Sequence, residues 1–464
     1  MVLLEIVLYI LSLFILVILF MKKYQNKQFD IFVLSLFGLL EIVHFIASPF
    51  QWRFYFLYAT VCLIWIVYLI QRVLSKSITK WLKGTLVFII FFSLFLSIGT
   101  SYAFPVYDLP TPSGTYQIGT ESFVIEDTER TELYNDNVMY RKIKIQLWYP
   151  ASETKGYQQV PWLEDGQVVA EALSRDTGLP GFVLNQTATI MSHSYLEAPI
   201  NPDMQQYPVV VISHGWRGFR NLHTDFAEEL ASFGYIVVSI DHTYGSVATV
   251  FGEEDVAFVN LDALPNRETT TEFLTYANTL VSTYASDINT TLNYLESLDS
   301  SSRFYNRLDM TKIGLLGHST GGGADVMVAL EDDRIDAVIG LDAWVEPIGH
   351  TDLSSGLSIP ALFLRSGNWE TGYNNDYLYG LIRNSTNQST LYQIDGTTHY
   401  DFSMVYMYSP LTKYIGFTGE VEGRYLNQML SQMIVSFFDD NVRSNTYSEL
   451  VIEDWEEVHK IIVE

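Results

Sequence analysis

A serine with glycine two residues to either side, Gly317-His318-Ser319-Thr320-Gly321, joins an apolar strand-like run (Ile313 to Leu316) to a helix-like run (Gly322 to Leu330). On so sharp a turn the hydroxyl stands clear of the sheet, and the glycines remove the Cβ atoms that would strike strand and helix. Such a serine becomes an acyl-transfer nucleophile when a base takes its proton, a carboxylate orients the base and two N–H groups receive the oxyanion. After a nucleophile elbow the chain order is serine, acid, histidine. His350, His399 and His459 lie downstream of Ser319. His399 ends Gln393-Ile394-Asp395-Gly396-Thr397-Thr398-His399, a strand-like run and loop that can deliver it to the elbow, so it is the expected base. His350 and His459 are expected at the surface.

Two carboxylates compete to orient the base. Asp342 closes the run Ala337 to Leu341 directly after the elbow helix, and Glu370 follows the next strand-like run. Pattern alone leaves both open, with Asp342 ahead. Asp395 and Asp401 flank His399 and are expected as solvated loop carboxylates. For the oxyanion, the amide after the nucleophile belongs to Thr320, and a second donor comes from the loop after an early strand. That loop is Ser213-His214-Gly215-Trp216, so the Trp216 amide is the natural second donor. His214, His242 and His318 are expected to be structural.

From residue 142 onward, apolar runs alternate with helical patterns, which predicts an α/β fold with a mostly parallel sheet covered on both faces. The strand-like runs are Lys142 to Tyr149, Pro208 to Ser213, Tyr235 to Ile240, Ile313 to Leu316, Ala337 to Leu341, Ala361 to Leu364 and Thr390 to Ile394. Helical spacing links Leu222, Phe226, Leu230 and Phe233, with Gly234 as the cap. It also links Leu274, Ala277, Val281, Tyr284, Ile288, Leu292, Leu295 and Leu298, a stripe that reads as core. A last amphipathic stretch covers Tyr425 to Phe438, and the acidic tail after Asn445 carries no pattern. Residues 151–202, apolar yet without strand–helix rhythm, are read as a possible lid.

The first 104 residues are written differently. Four apolar runs, Val2 to Phe20, Ile31 to Ala47, Phe54 to Ile70 and Thr85 to Tyr102, each approach the ~20 residues of a spanning helix. They predict a four-helix transmembrane region, residues 1–104, before an α/β domain, residues 105–464. Lys22, Lys23 and Lys27 follow the first run and Arg72, Lys76, Lys80 and Lys83 the third, which puts those loops in the cytoplasm and the α/β domain outside. Glu41 and His44 share one face of the second helix and read as a polar clasp. Of 27 basic and 53 acidic residues, eight and three precede residue 105, so the outer domain carries about −31 and a nucleic-acid partner is excluded. The single cysteine, Cys62, permits no internal disulfide, which suits a bacterial surface.

Several separated motifs resemble the platelet-activating-factor acetylhydrolase family of α/β-hydrolases, in its plasma and bacterial-relative branch. They are Leu109 to Thr120 (LPTPSGTYQIGT), Ser213-His214-Gly215-Trp216-Arg217-Gly218-Phe219-Arg220, Asp241-His242-Thr243-Tyr244-Gly245-Ser246, the GHSTGG elbow, Leu341-Asp342-Ala343-Trp344 and Gly396-Thr397-Thr398-His399. The resemblance covers roughly residues 109 to 442. It implies Asp342 as the acid, Ser319 as nucleophile, His399 as base, and Trp216 and Thr320 as oxyanion donors. Thr320 stands where the mammalian members have an aromatic residue and Trp216 where they have an aliphatic one, so pocket shape differs while the backbone donors persist. The elbow is also similar to that of bacterial cutinases, whose acid follows the later strand.

The expectation is a multi-pass, membrane-anchored serine esterase that cleaves carboxylic esters, with short or oxidised acyl chains of phospholipids implied by the resemblance. No cofactor or metal is implied. A cutinase-like polyester hydrolase or general lipase is the nearest rival, and a non-catalytic membrane sensor that binds an apolar ligand is the rival of another class.

Overall fold

The computed structural model describes residues 2–20, 27–47, 51–70, 79–443 and 455–463. The chain divides into two compact units, Met1–Pro105 and Val106–Glu464. Among its described residues the first holds four α-helices, α1 (Val2–Phe20), α2 (Lys27–Ala47), α3 (Tyr55–Tyr68) and α4 (Lys80–Ala103). Among the described residues one helix, α4, is long and apolar enough to cross a membrane; the apolar stretches Leu4–Ile18, Ile31–Ala47 and Trp52–Tyr68 are shorter, at 17 residues or fewer. Lys22, Lys23, Arg72 and Lys76, four of the lysines and arginines that set the expected orientation, lie outside the described residues.

Side chains in this unit follow an inverted pattern. Leu8, Phe37, Leu57 and Ile64 meet in a small core, but Leu39, Ile46, Phe88 and Phe95 are exposed while Ser12, Thr60, Ser93 and Ser97 are buried. The buried hydroxyls bond to helix carbonyls: Ser12 Oγ to Leu8 O at 2.7 Å, and Thr60 Oγ1 and Ser93 Oγ to Phe56 O at 2.9 and 2.8 Å. His44 Nδ1 meets the Tyr58 hydroxyl at 3.1 Å, joining α2 to α3 rather than pairing with Glu41.

The second unit is built on an eleven-stranded sheet. Its strands are β1 (Gln117–Thr131), β2 (Tyr140–Ala151), β3 (Gln159–Pro161), β4 (Met191–Leu196), β5 (Tyr207–Ser213), β6 (Ile236–Asp241), β9 (Leu308–His318), β10 (Ile335–Leu341), β11 (Ala361–Ser366), β12 (Ser389–Ile394) and β13 (Val458–Ile461); β7 (Ala248–Val250) and β8 (Val256–Phe258) form a separate hairpin. The order is β13-β12-β11-β10-β9-β5-β6-β2-β1-β4-β3. Strands β12 through β6 run parallel, and β2 and β13 close that block antiparallel.

Alternation along the strands fills two cores. Val209, Val211, Ile313, Leu315 and Val338 face one side; Val210, Ile212, Leu316, Ile339 and Leu341 face the other. The first side is covered by α7 (Phe273–Glu296), α8 (Thr320–Glu331), α9 (His350–Leu353) and α10 (Asn374–Asn384), the second by α6 (Thr224–Ser232) and α11 (Gly423–Phe438). The α7 stripe is core as expected from Ala277 to Leu295, whereas Leu274 at its start is exposed and Leu298 lies beyond its end and is half-buried.

Residues 151–202 are more regular than their sequence suggests. They contain β3, β4, a 3-10 turn (Asn185–Thr189) and α5 (Gly166–Asp176), with Trp162 and Leu163 buried. The acidic tail lies outside the described residues through residue 454, but its end supplies β13.

Candidate active site

The sequence steps from β5 to β6 in one direction and from β9 to β12 in the other, so β5 and β9 border the sheet's topological switch point. Crevices at the carboxyl ends of strands form at such a point. Ser319 follows β9 there, in a left-handed conformation rare for a residue with a side chain (φ 55°, ψ −118°). Strain of this kind costs about 1–3 kcal/mol and persists only when neighbours impose it. Here Ser319 N donates to Leu341 O at 3.0 Å, and Ser319 O accepts from Gly323 and Trp344 at 3.0 and 2.9 Å. The turn is therefore held from both the elbow helix and the strand end that carries Asp342. Gly321 is needed because a Cβ there would run into the Ser213 and His214 carbonyls, and a Cβ on Gly317 would come 2.5 Å from Gly322 N.

Asp342, at the end of β10, is buried and saturated with donors. Its Oδ1 accepts from Ser366 N at 2.7 Å, and its Oδ2 accepts from Ser366 Oγ at 2.5 Å and from His399 Nδ1 at 3.0 Å. A carboxylate partner places the proton on Nδ1 and leaves Nε2 as the basic nitrogen. Glu370, the other carboxylate left open by the sequence, is exposed and does not pair with His399.

The His399 ring lies parallel to the Trp369 indole at 4.4 Å and 4.6 Å from the His318 ring. His318 Nε2 donates to the His399 carbonyl at 2.9 Å, so its role is structural; burial holds it neutral, far below the usual histidine range. Asp401 corrects the expectation of a solvated carboxylate. It is buried and accepts from the Thr398 and Gly419 amides, both at 2.7 Å, which fixes the loop on which His399 sits. Asp395 is exposed and pairs with His459, and His350 stacks on Tyr377.

The loop after β5 packs directly on the elbow: a Cβ on Gly215 would lie 3.0 Å from Ser319 Cβ. His214 organises this loop, Nδ1 donating to Gly215 O at 2.7 Å and Nε2 accepting from His242 N at 3.3 Å. Gly218 and Arg217 amides bond to Gly215 O and Gly245 O, both at 2.9 Å. Among the described residues, the Trp216 and Thr320 amides have no acceptor in the protein. Both residues line the cavity that also holds Ser319 and His399, although Ser319 Oγ makes no hydrogen bond to His399 in this structure.

That cavity measures about 450 Å³, within the range of small-molecule sites. Its walls include Leu173 and Thr177 from the α5 region, Leu264, Trp344, Tyr408 and Phe417. His242 lies elsewhere, in a buried cluster where its Nδ1 meets Asp287 at 3.1 Å and Arg141 pairs with the same carboxylate at 2.6 Å. Sequence reasoning missed Ser366 and Trp369, the partners of Asp342 and His399. Trp369 stands beside Glu370, and no spacing in the chain ties either residue to the histidine. Among the described residues no group of three or more His, Cys, Asp or Glu side chains could hold a metal ion.

Comparison with known proteins agrees in architecture. A solved ferulic acid esterase from Streptomyces cinnamoneus superposes with a TM-score of 0.62 at 22% identity, over 77% of this chain and 100% of that one; the shared architecture is the α/β-hydrolase fold. The family profile of platelet-activating factor acetylhydrolase, isoform II, matches residues 102–454. Platelet-activating factor acetylhydrolase of Canis lupus familiaris is 24% identical over 280 residues, 56% of this chain, and the match spans 60% of that relative's length. Cutinase est2 of Thermobifida alba is 24% identical over 199 residues, 42% of this chain and 53% of the cutinase.

Proposed function

The chain belongs to the platelet-activating factor acetylhydrolase family, and from that premise we propose that it is a membrane-anchored serine esterase of carboxylic esters. Ser319 Oγ attacks the ester carbonyl while His399 Nε2 takes its proton, and Asp342 stabilises the imidazolium that forms. The Trp216 and Thr320 amides receive the oxyanion, a contribution worth about a hundred- to a thousandfold in kcat for one donor. The tetrahedral intermediate expels the alcohol, which takes the proton back from His399, and water then cleaves the acyl-serine by the same steps. The observation that carries this reading is the His399–Asp342 bond of 3.0 Å in the cavity that holds Ser319 and two unengaged amides.

The proposed substrates are phospholipids with short or oxidised acyl chains, a reading supported by the acyl specificity in the names of the acetylhydrolase relatives. Residues 151–202 are proposed to cover the site, since α5 borders the cavity. Residues 1–104 are proposed to anchor the protein as four membrane helices, with residues 105–464 outside a bacterial cell. The exposed apolar faces of α1–α4 support that anchor, with the three shorter helices spanning thin stretches of bilayer.

The test is hydrolysis of a short-chain aryl ester by the full chain in detergent beside Ser319→Ala. Loss of about ten-thousandfold or more is expected. Equal rates in the two proteins would reject the serine mechanism and leave ligand binding as the better reading of the cavity.

A further inference from the structure

The loop after β6, Asp241-His242-Thr243-Tyr244-Gly245-Ser246, is a motif to which the mechanism gives no part. Its side chains are mostly buried, and it is braced against β2 and α7. Arg141 on β2 donates to Thr243 O at 2.9 Å and to Asp287 on α7 at 2.6 Å, and the same carboxylate meets His242 Nδ1 at 3.1 Å. A Cβ on Gly245 would run into the Tyr284 hydroxyl, so the loop lies directly on α7. It also meets the loop after β5 at several points. Gly245 O accepts from Arg217 N and Gly218 O from Val247 N, both at 2.9 Å. His214 Nε2 meets Ser246 Oγ at 2.8 Å and His242 N at 3.3 Å, with all three residues wholly buried.

What this second loop does follows from the Gly215–Trp216 peptide. Position 215 has no room for a side chain, since a Cβ would lie 3.0 Å from Ser319 Cβ, and glycine leaves the peptide that follows it free to turn over. In a trans peptide the carbonyl and the next N–H point in opposite directions. Gly215 O is held by His214 Nδ1 at 2.7 Å and Gly218 N at 2.9 Å, so the direction of the Trp216 N–H is set as well. Turned over, the same peptide would offer the oxyanion a carbonyl in place of a donor. The hold needs one tautomer: a carbonyl only accepts, so Nδ1 of His214 must carry the proton and Nε2 must accept. Burial, with His242 close by, keeps His214 well below the usual histidine range, so the ring carries a single proton. The His242 amide can only donate, and with the Ser246 hydroxyl it excludes the other tautomer.

We infer that His214, backed by Ser246 and the His242 amide, is a positioning residue for the oxyanion donors: it aims the Trp216 amide by holding the Gly215 carbonyl. This rests on the esterase reading of the same cavity, and it gives the loop after β6 a part in the reaction.

A purely structural role for His214 is the competing account, and one atom of the substrate separates the two. 4-Nitrophenyl butyrate and its thiono analogue, with sulfur in place of the carbonyl oxygen, share acyl chain and leaving group. Sulfur is a weak hydrogen-bond acceptor, so well-aimed oxyanion donors favour the oxygen ester. Both esters are measured with the full chain, His214→Leu, Ser246→Ala and Ser319→Ala in the same detergent. His214→Leu removes one hold on the Gly215 carbonyl and leaves the Gly218 amide, so part of a donor worth about a hundred- to a thousandfold is lost. Its oxygen-to-sulfur ratio of kcat/KM is expected to fall about tenfold or more, with the loss on the oxygen ester chiefly in kcat. Ser246→Ala, with the His242 amide still in place, is expected to lower the ratio about threefold. Each reading is a ratio within one preparation, so loss of folded protein cancels. A His214→Leu protein whose two esters fall together, or a Ser246→Ala protein whose ratio matches the parent's, overturns the proposal and leaves His214 a structural part of its loop. A parent that cleaves the two esters equally well overturns it too. Activity that survives in Ser319→Ala overturns the esterase reading instead, and the positioning role with it.

Discussion

In the first unit Leu39, Ile46, Phe88 and Phe95 stand exposed while Ser12, Thr60 and Ser97 are buried; in the second, Val209 to Ile212 and Ile236 to Ile240 are wholly buried between two layers of helices and the excess of acidic residues lies in the same 360-residue stretch. The polar interiors differ as well. Among the buried hydroxyls of the first unit, Ser12 and Thr60 bond to carbonyls one turn back on their own helix, while Ser93 and Ser97 bond to a neighbouring helix. The second unit has such local bonds too, as from Ser174 to Ala170 O, but adds long-range bonds to buried carboxylates, from the Ser366 hydroxyl to Asp342 and from the Asn427 amide to Asp225. Local satisfaction of polar groups with apolar side chains outermost is the arrangement hydrocarbon demands. Burial of apolar surface with long-range polar bonds is the arrangement water drives. On the proposed reading one chain is written for two solvents, with Ser319, Asp342 and His399 in the half written for water.

The comparison is easiest to break with one residue type placed in each half. Phe438 is fully buried on α11 and fills the space left by Gly314 in β9. Phe438→Ala is expected to destabilise the second unit by about 3–5 kcal/mol, read as a fall in the urea midpoint for loss of hydrolysis. Phe95 on α4 is 71% exposed. If that face meets lipid, Phe95→Asp disfavours insertion by about 2.5–3.5 kcal/mol, seen as a smaller fraction of the chain resisting alkaline extraction from membranes. If it meets water, the same change is silent, and an unchanged extraction profile would end the two-solvent account.

A smaller effect tests the polar interiors. Ser366→Ala removes a donor from Asp342 and leaves the carboxylate short of one bond, so kcat is expected to fall about tenfold with KM little changed. Thr60→Ala, which removes a bond between a hydroxyl and a carbonyl on its own helix, is expected to leave both extraction and hydrolysis within twofold, about 0.5 kcal/mol. Equal damage from the two substitutions would show that the local and the long-range bonds carry similar weight.

The same contrast explains what the sequence disclosed. Strands β2, β5, β6 and β9 to β12 are visible as Val/Ile/Leu runs because both of their faces are covered. Strands β1, β3 and β4 lie beyond the parallel block, with residues such as Glu126 and Glu129 facing solvent, and their pattern does not rise above that of a loop. The regularity of residues 151–202 was hidden for the same reason: α5 is short, and it packs against the Asn185–Thr189 turn and β7, partners that only the folded chain supplies. At the site, Ser319, Asp342 and His399 are residue types with few roles, and chain order narrows them further. Ser366 and Trp369 are common types whose importance comes from where β11 ends relative to β10 and β12, a register that only the assembled sheet sets. In the first unit apolar runs were plain to see, whereas the length of each helix able to span was not: Lys27 and Asp30 take the start of α2 out of its apolar part, and α3 is itself only 14 residues long.

The subtlest expected effect concerns a charge in the dry part of the second unit. Asp225 opens α6 and is buried; its Oδ1 accepts from Phe226 N at 2.9 Å and its Oδ2 from Asn427 at 2.7 Å. Burial pushes its carboxyl up to about 7, with the nearby Glu228 adding to the rise. The folded value is then above the unfolded value of about 3.9, so folding favours the protonated form. The contribution to stability is complete below about pH 4, declines as the unfolded chain ionises and the folded one resists, and is lost once the pH has risen through about 7. Asp225→Asn keeps the shape and cannot ionise. It gives up one acceptor, so it starts at a disadvantage in acid, but its melting temperature relative to the parent is expected to gain a few degrees between pH 4 and pH 8. Parallel profiles across that range would mean that Asp225 is ionised and well solvated at neutral pH, and that the water-facing half is wetter beneath α6 than its packing implies.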